Sequence, residues 1–334
     1  MGQLRLLTYN VKLLPDLGRS ALKDAPFVRG GVRQFAKPWW EEWMSDKART
    51  TRLVKALAAS KHDVICLQEV FDEDRRKQLR NGLKRADYKH FVDYSSDHDP
   101  IHEDSGLFLA SRHPIRWEHF EEYADNAGDD ALADKGISCV SLNVGRRLAQ
   151  TTLIVFHTHM QAYNTAADRS ARGKQIEQLG RKISRVAGKL RQPESCAMVV
   201  CGDFNIAAER LVDDELRPTR EYTKLKRFLG AHRDLYRTKN RKNPGYTSDS
   251  RVNKKMMRRR GAPKGSRIDY VFALDAVTPI TGDIDRIALR KLKCTRAGVE
   301  PFFDAERDGH LSDHFGVSVT LERAVGRRRR ARSG

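Results

Sequence analysis

Cysteine is scarce and unpatterned in this 334-residue chain. The five present, Cys66, Cys139, Cys196, Cys201 and Cys294, are odd in number and include no C-x-x-C pair. This pattern argues against a zinc ribbon, a thioredoxin-type motif or a disulfide framework. Cys66, Cys139 and Cys201 sit inside apolar runs and read as reduced packing residues of an intracellular protein. Long hydrophobic runs are also missing. None approaches the roughly 18 apolar residues of a transmembrane helix, and the best, TLIVF and AMVVC, are strand-length. The N-terminal segment LRLLTYN reads as a strand rather than a basic-then-apolar leader. The expected location is therefore cytoplasmic, free or peripheral at a membrane. Neither a P-loop nor S-x-x-K nor G-x-S-x-G occurs, which leaves nucleoside-triphosphate and acyl chemistry unsupported.

Basic residues are abundant. The net charge is +19, with 39% hydrophobic residues, enough for a packed core. The charge is unevenly spread. Residues 93–134 carry twelve acids against two arginines, residues 251–267 carry eight bases and no acid, and the tail 326–334 carries five arginines. Such blocks suit nucleic acid or an acidic membrane surface, with a solvated coat as the plain alternative. Three of the four tryptophans, Trp39, Trp40 and Trp43, lie within FAKPWWEEW. They suit either docking at a membrane–water interface or internal packing on a short helix.

Hydrophobic patterning predicts strands at Leu4–Asn10, Asp63–Glu69, Gly106–Ala110, Gly136–Asn143, Thr152–His157, Ala197–Cys201, Ile268–Ala273 and Gly316–Leu321. The clearest helix is Arg169–Leu190, where Ile176, Leu179, Ile183, Val186 and Leu190 step by three and four along one face. Weaker helices are expected at Thr50–Ala59 and Tyr222–Leu229. This mixture indicates α/β or α+β. Residues 12–45 and 240–267 read as long loops, the second a mobile surface loop.

One arrangement recurs: a short apolar strand runs directly into polar groups. LRLLTYN ends at Asn10, DVICLQE at Glu69, TLIVFHTH at His159, and MVVCGDFN at Asp203 and Asn205. SRIDYVFA places Asp269 at a strand start, and LSDHFGVSV places Asp313 and His314 before another. Strand ends aim side chains rigidly out of a packed core. Carboxylates, amides and imidazoles together suit a hard, oxygen-ligated cation such as Mg²⁺ with acid–base partners. A zinc reading of His157-x-His159 lacks the continuation it needs, because Gln161 and Ala162 follow.

TYN at 8–10, LQEV at 67–70, SGLFLASRHPI at 105–115, GDFN at 202–205, RIDYVF at 267–272 and SDH at 312–314 occur in that order. Together they resemble the endonuclease/exonuclease/phosphatase superfamily of Mg²⁺-dependent phosphoesterases. NVKLLP (10–15), QEVFD (68–72), ADKGISCV (133–140), THMQAY (158–163) and GYTSDSRVN (245–253) resemble its neutral sphingomyelinase branch, with Ser248 where that branch usually has Trp. The resemblance implies an α+β fold: a four-layer α/β/β/α sandwich of two mainly antiparallel sheets flanked by helices. It implies one catalytic domain over 1–325, and the Arg-rich run at 326–334 reads by composition as a disordered tail.

It also implies roles. Glu69 and Asn10 hold Mg²⁺, with Mn²⁺ a substitute, and Asp313 adds charge near the metal or the imidazole. His314 is the general base and Asp269 fixes its tautomer. Asp203 acts on the leaving oxygen, and Asn205 and His159 bind phosphoryl oxygens. The implied activity is phospholipase C-type cleavage of a phospholipid headgroup by a monomer. Two alternatives stand beside it: a nuclease of the same superfamily, and a basic membrane- or nucleic-acid-binding protein on an inactive scaffold.

Overall fold

Alternation along the longest strands sets the architecture. In the computed structural model, which describes residues 2–14, 47–94, 105–128, 133–148, 151–213, 215–254, 264–278, 286–305 and 308–324, seventeen strands are described. They are β1 (Leu4–Leu13), β2 (Val64–Val70), β3 (His90–Asp93), β4 (Phe108–Ser111), β5 (Ile115–Glu122), β6 (Gly136–Asn143), β7 (Thr152–His159), β8 (Cys196–Asp203), β9 (Glu209–Val212) and β10 (Glu215–Pro218). The rest are β11 (Ala231–Asp234), β12 (Asp269–Val277), β13 (Ile287–Ala288), β14 (Leu292–Glu300), β15 (Phe303–Asp304), β16 (Gly309–His310) and β17 (Gly316–Arg323). The helices are α1 (Lys47–Ser60), α2 (Glu73–Arg85), α3 (Ala166–Gly188), α4 (Arg220–Leu229) and the short α5 (Leu235–Lys239). Trp39, Trp40, Trp43 and the tail 326–334 lie outside the described residues.

Two large sheets form. One has the order β14-β17-β1-β2-β4-β3, the other β11-β12-β8-β7-β6-β5 with β13 beside β12. Most neighbours are antiparallel. Among the described strands the parallel pairs are β1 with β2 and β7 with β8, and each is joined through a helix, α1 or α3.

Both faces of the central strands are apolar, as strands buried on two sides require. Along β8, Ala197, Val199 and Cys201 join a core shared by the two sheets, while Met198 and Val200 join a second core under α3 and α4. Along β1, Leu4 and Leu6 enter the shared core, while Leu7, Tyr9 and Val11 pack in a third with Leu53 and Leu57 of α1 and Leu79 and Leu83 of α2. The result is helix, sheet, sheet, helix, the expected four layers.

The expected helices form with small shifts at their ends. α3 begins earlier than the apolar pattern because Thr165 caps it, bonding the amide of Asp168 while the Asp168 carboxylate accepts from the amide of Thr165. All five cysteines are free and buried. Residues 245–254 depart from the expected surface loop: Thr247, Ser248, Asp249 and Asn253 are buried, and Ser248 bridges to Ser266. No described helix is long and apolar enough to cross a membrane.

Candidate active site

The strand face that fills the shared core also supplies the polar cluster. On β8 the series Ala197, Val199, Cys201 continues to Asp203, and on β7 Leu153 and Val155 continue to His157 and His159. On β12, Val271 and Ala273 are preceded by Asp269, and on β1, Leu4 and Leu6 are followed by Thr8 and Asn10. Side chains two apart share a strand face, so each series must deliver its polar end into the seam between the sheets. The two parallel pairs bring their C-terminal ends to one edge, with Asn10 level with Gln68 and His159 level with Asp203.

Local backbone irregularities complete the placement. Glu69 falls on the helix-facing side of β2 by parity, yet it adopts φ +57° and its side chain lies within reach of the seam residues. Lys12 (φ +49°), where β1 shifts register, and Asn205 (φ +53°) are likewise left-handed. Non-glycine residues held in this region store strain that the surrounding structure must offset, and such residues concentrate at functional sites. At Gly202, between Cys201 and Asp203, a Cβ would stand 1.8 Å from the Thr158 carbonyl oxygen, so only glycine lets β7 and β8 approach this closely.

The cluster is tightly connected. Asn10 Nδ2 donates to Glu69 Oε1 at 2.7 Å and to Asp203 Oδ2 at 3.0 Å, joining the two sheets. His159 Nε2 lies 3.7 Å from Asp203 Oδ2 and 3.9 Å from Glu69 Oε1. Ligand atoms of Glu69, His159 and Asp203 lie within 4.8 Å of one another, as do those of Asp203, Asp269 and His314, so either group could hold a metal ion. His314 Nδ1 bonds Asp269 Oδ2 at 3.0 Å, which leaves Nε2 facing Asp203 Oδ2 at 3.8 Å. Asn205 donates its side-chain amide to Met160 O at 3.0 Å and its backbone amide to Asp203 Oδ1 at 2.8 Å. Glu69, His159, Asp203, Asn205 and His314 line one cleft of about 1300 Å³, with the fully buried Asn10 and Asp269 behind them.

The electrostatics separate the two imidazoles. Burial, reinforced by Lys135 and His314, pushes His159 well below the ordinary histidine range and keeps it neutral. Burial opposes charge on His314 too, but the carboxylates of Asp269 and Asp203 outweigh it and hold the ring well above that range. Burial and the neighbouring Asp269 push the Asp203 carboxyl up to about 6. Burial and Asp313 raise Glu69, against the opposing pull of Lys12 and Asn10.

Asp313 lines the same cleft and its charge acts on both Glu69 and His314. Its Oδ2 is held by Lys12 Nζ at 2.5 Å. His157 is a packing residue, fully buried and bonded to Gln68 at 2.6 Å.

The profile of the endonuclease/exonuclease/phosphatase family matches residues 7–314, from the strand carrying Asn10 to His314 itself. The chain belongs to that family. Sphingomyelin phosphodiesterase 5 of Danio rerio is 30% identical over 164 residues, 46% of this chain and 30% of that protein. The chain thus spans less than a third of the length of the curated relatives it matches first. Among solved structures, D. rerio TDP2 in complex with a single-strand DNA product superposes with TM-score 0.62 at 15% identity, covering 96% of this chain and 99% of that one. A magnesium-bound mutant of Staphylococcus aureus beta toxin superposes with TM-score 0.59 at 15% identity, covering 95% and 99%. At these identities the structural matches establish the family fold.

Two site residues were not singled out from the sequence of this family member. Lys135, in the segment ADKGISCV, is buried with Nζ 3.4 Å from His159 Nε2 and 3.3 Å from Met160 O. A lysine directly before the strand GISCVSLN was the available signal. Thr247 accepts the backbone amides of Ile268 and Asp269 at 3.1 and 3.3 Å, which fixes the strand start that carries Asp269. Nothing in the local pattern of GYTSDSRVN marks that contact.

Proposed function

We propose that this chain is a Mg²⁺-dependent phosphodiester hydrolase that cleaves a phospholipid headgroup in the manner of a phospholipase C, as one catalytic domain over residues 1–325. The observation that carries the reading is the pairing of an Asp-oriented imidazole, His314, with a carboxylate–imidazole cluster drawn from both sheets. The sphingomyelin phosphodiesterase relative supports a lipid substrate.

The donor set fits a hard divalent cation. Glu69 and Asp203 crowd carboxylate charge into a buried site, and Asp269 Oδ1 and His159 Nδ1 have no hydrogen-bond partner among the described residues. Glu69, with Asn10 beside it, would hold the ion, and Asp313 would add charge from its place against Lys12. The magnesium bound by the beta toxin mutant supports that metal, with Mn²⁺ as a substitute. Bound there, the cation supplies Lewis-acid polarisation of a phosphoryl oxygen and offsets the carboxylate charge.

The chain's own groups account for the proton transfers. Asp269 holds Nδ1 of His314, so Nε2 is the atom that takes a proton from the attacking water, in the neutral ring that forms once cation charge offsets the carboxylates that raise it. Asp203, raised toward neutrality, is suited to protonate the leaving oxygen directly or through water. Neutral His159, the Asn205 amide and the Lys135 ammonium provide donors for phosphoryl oxygens as negative charge grows in the transition state.

The test is a side-by-side assay on sphingomyelin vesicles, phosphatidylcholine vesicles, plasmid DNA and bis(p-nitrophenyl) phosphate, with Mg²⁺ and with EDTA. We expect Mg²⁺-dependent release of a phosphorylated headgroup while plasmid stays intact at equal enzyme. Plasmid nicking far faster than vesicle hydrolysis would establish a second reading, a nuclease, which the DNA-bound TDP2 structure and the +19 charge favour. A bound Arg-rich tail would place the enzyme peripherally on an anionic membrane.

A further inference from the structure

The cleft changes sign along its wall. Near Asp203 and Glu69 it is acidic, but the hairpin β9–β10 and the starts of α3 and α4 line it with Arg210, Arg217, Arg169 and Arg220. Arg210 and Arg217 are direct register partners across the hairpin, so their side chains share one face. Like charges placed opposite each other on a sheet repel. Arg220 is the first residue of α4 and Arg169 lies in the first turn of α3. A cation there opposes the positive end of the helix dipole. Four guanidinium groups thus occupy unfavourable positions around a single space.

Neighbouring carboxylates do little to relieve them. Glu221 is taken by the buried Arg172, at 3.0 and 3.3 Å. Glu209 is shared between Arg237 and Arg267. Glu215 lies 3.8 Å from Arg217 with both side chains exposed, where solvent screens the pair. Arg169 donates to the Asn164 carbonyl. Arg210 and Arg220 make no ion pair with any described residue. A dianionic group in this space would offset all three repulsive placements at once, and guanidinium is the side chain best matched to phosphate oxygens.

We infer that Arg169, Arg210, Arg217 and Arg220 form a second anion subsite that receives a phosphate carried on the headgroup side of the substrate. This inference rests on the phosphodiesterase reading above and sharpens it: among headgroups the site can cleave, one that carries a second phosphate binds more tightly than a choline, whose quaternary ammonium gains nothing from these arginines.

Calorimetric titration of the full chain with inositol bisphosphate and with phosphocholine, at low and high salt, tests it. Inositol bisphosphate should bind at least about 10-fold tighter than phosphocholine, and the R210Q/R217Q double variant should lose about that factor for the bisphosphate alone. R210K/R217K should recover part of it, and an unchanged urea midpoint will show that the exposed hairpin tolerates the changes. Equal affinity for the two probes in the wild type, or no loss in R210Q/R217Q, overturns the subsite. A loss seen only for a single-stranded oligonucleotide also overturns it and makes the hairpin a nucleic-acid contact. Turnover of bis(p-nitrophenyl) phosphate by the wild type is scored separately, so that failure of the catalytic reading is distinguished from failure of the subsite.

Discussion

Asp203 and Asp269 are register partners across β8 and β12, so two buried carboxylates stand side by side beneath one imidazole. Only one of them bonds the ring. Asp269 Oδ2 reaches His314 Nδ1 at 3.0 Å, while Asp203 Oδ2 faces Nε2 at 3.8 Å. One carboxylate orients the ring, and the other sits where a water or substrate oxygen would lie between them.

This division predicts distinct kinetic signatures. His314→Ala and Asp203→Asn should each lower turnover by about 10²–10⁴, the range for a general acid or base. Asp269→Asn should act through His314, so the double variant should lose little beyond the worse single one. Initial rates on bis(p-nitrophenyl) phosphate for the four proteins decide it, and fully additive losses would separate Asp269 from His314.

Glu69 should control metal dependence. Glu69→Gln removes a charge from the carboxylate cluster, so half-maximal turnover should need more Mg²⁺ and the plateau should fall. A magnesium titration of wild type and variant measures both. Full turnover by exhaustively chelated wild-type protein would defeat the metal assignment.

Gly202 should tolerate no side chain. Gly202→Ala places Cβ 1.8 Å from Thr158 O at φ +142°, and the cost should exceed about 2 kcal/mol. Gly188→Ala, where nothing lies within 4 Å, serves as the control and should stay within about 1 kcal/mol of wild type. Urea midpoints report both, and a wild-type midpoint for Gly202→Ala would refute the close-approach argument.

His62 should make the fold acid-sensitive. Burial, with a smaller push from Arg5, lowers its imidazole from 6.5 to about 3. Between those values the unfolded chain binds the extra proton, so stability is full above about pH 6.5 and falls as pH drops toward 3. The slope from this group is up to about 1.4 kcal/mol per pH unit. Urea unfolding across that window should show a flatter pH profile for His62→Gln, and parallel profiles would assign the acid sensitivity elsewhere.

Much of this architecture was legible because the decisive strands are simple. CAMVVCGD is apolar on both faces and all eight residues are buried, so it reads as a central strand from sequence alone. Its polar end was equally visible. By contrast, α2 went unread because EDRRKQLRNGLKR buries little beyond Leu79, Leu83, Gly82 and the stem of Arg76. The β5 segment IRWEHFEE is a sheet edge with much of it exposed. In β14 the alternation Leu292, Cys294 is broken by a register shift before Ala297. At the site, side-chain identity was readable and direction was not. The left-handed turn at Glu69 and the Lys12 grip on Asp313 depend on contacts between distant segments.

The seam between the sheets gives the protein an early-warning property. Sheet one and its flanks contribute Asn10, Glu69 and His314, and sheet two contributes His159, Asp203 and Asp269. Neither half holds a complete proton relay or a complete carboxylate cage. A slight swelling of the core, enough to admit solvent while every strand and helix persists, would pull donors from acceptors across the gap. On gentle heating or mild denaturant, catalysis should therefore fade before far-ultraviolet dichroism changes, making turnover a gauge of how tightly the two halves are pressed together.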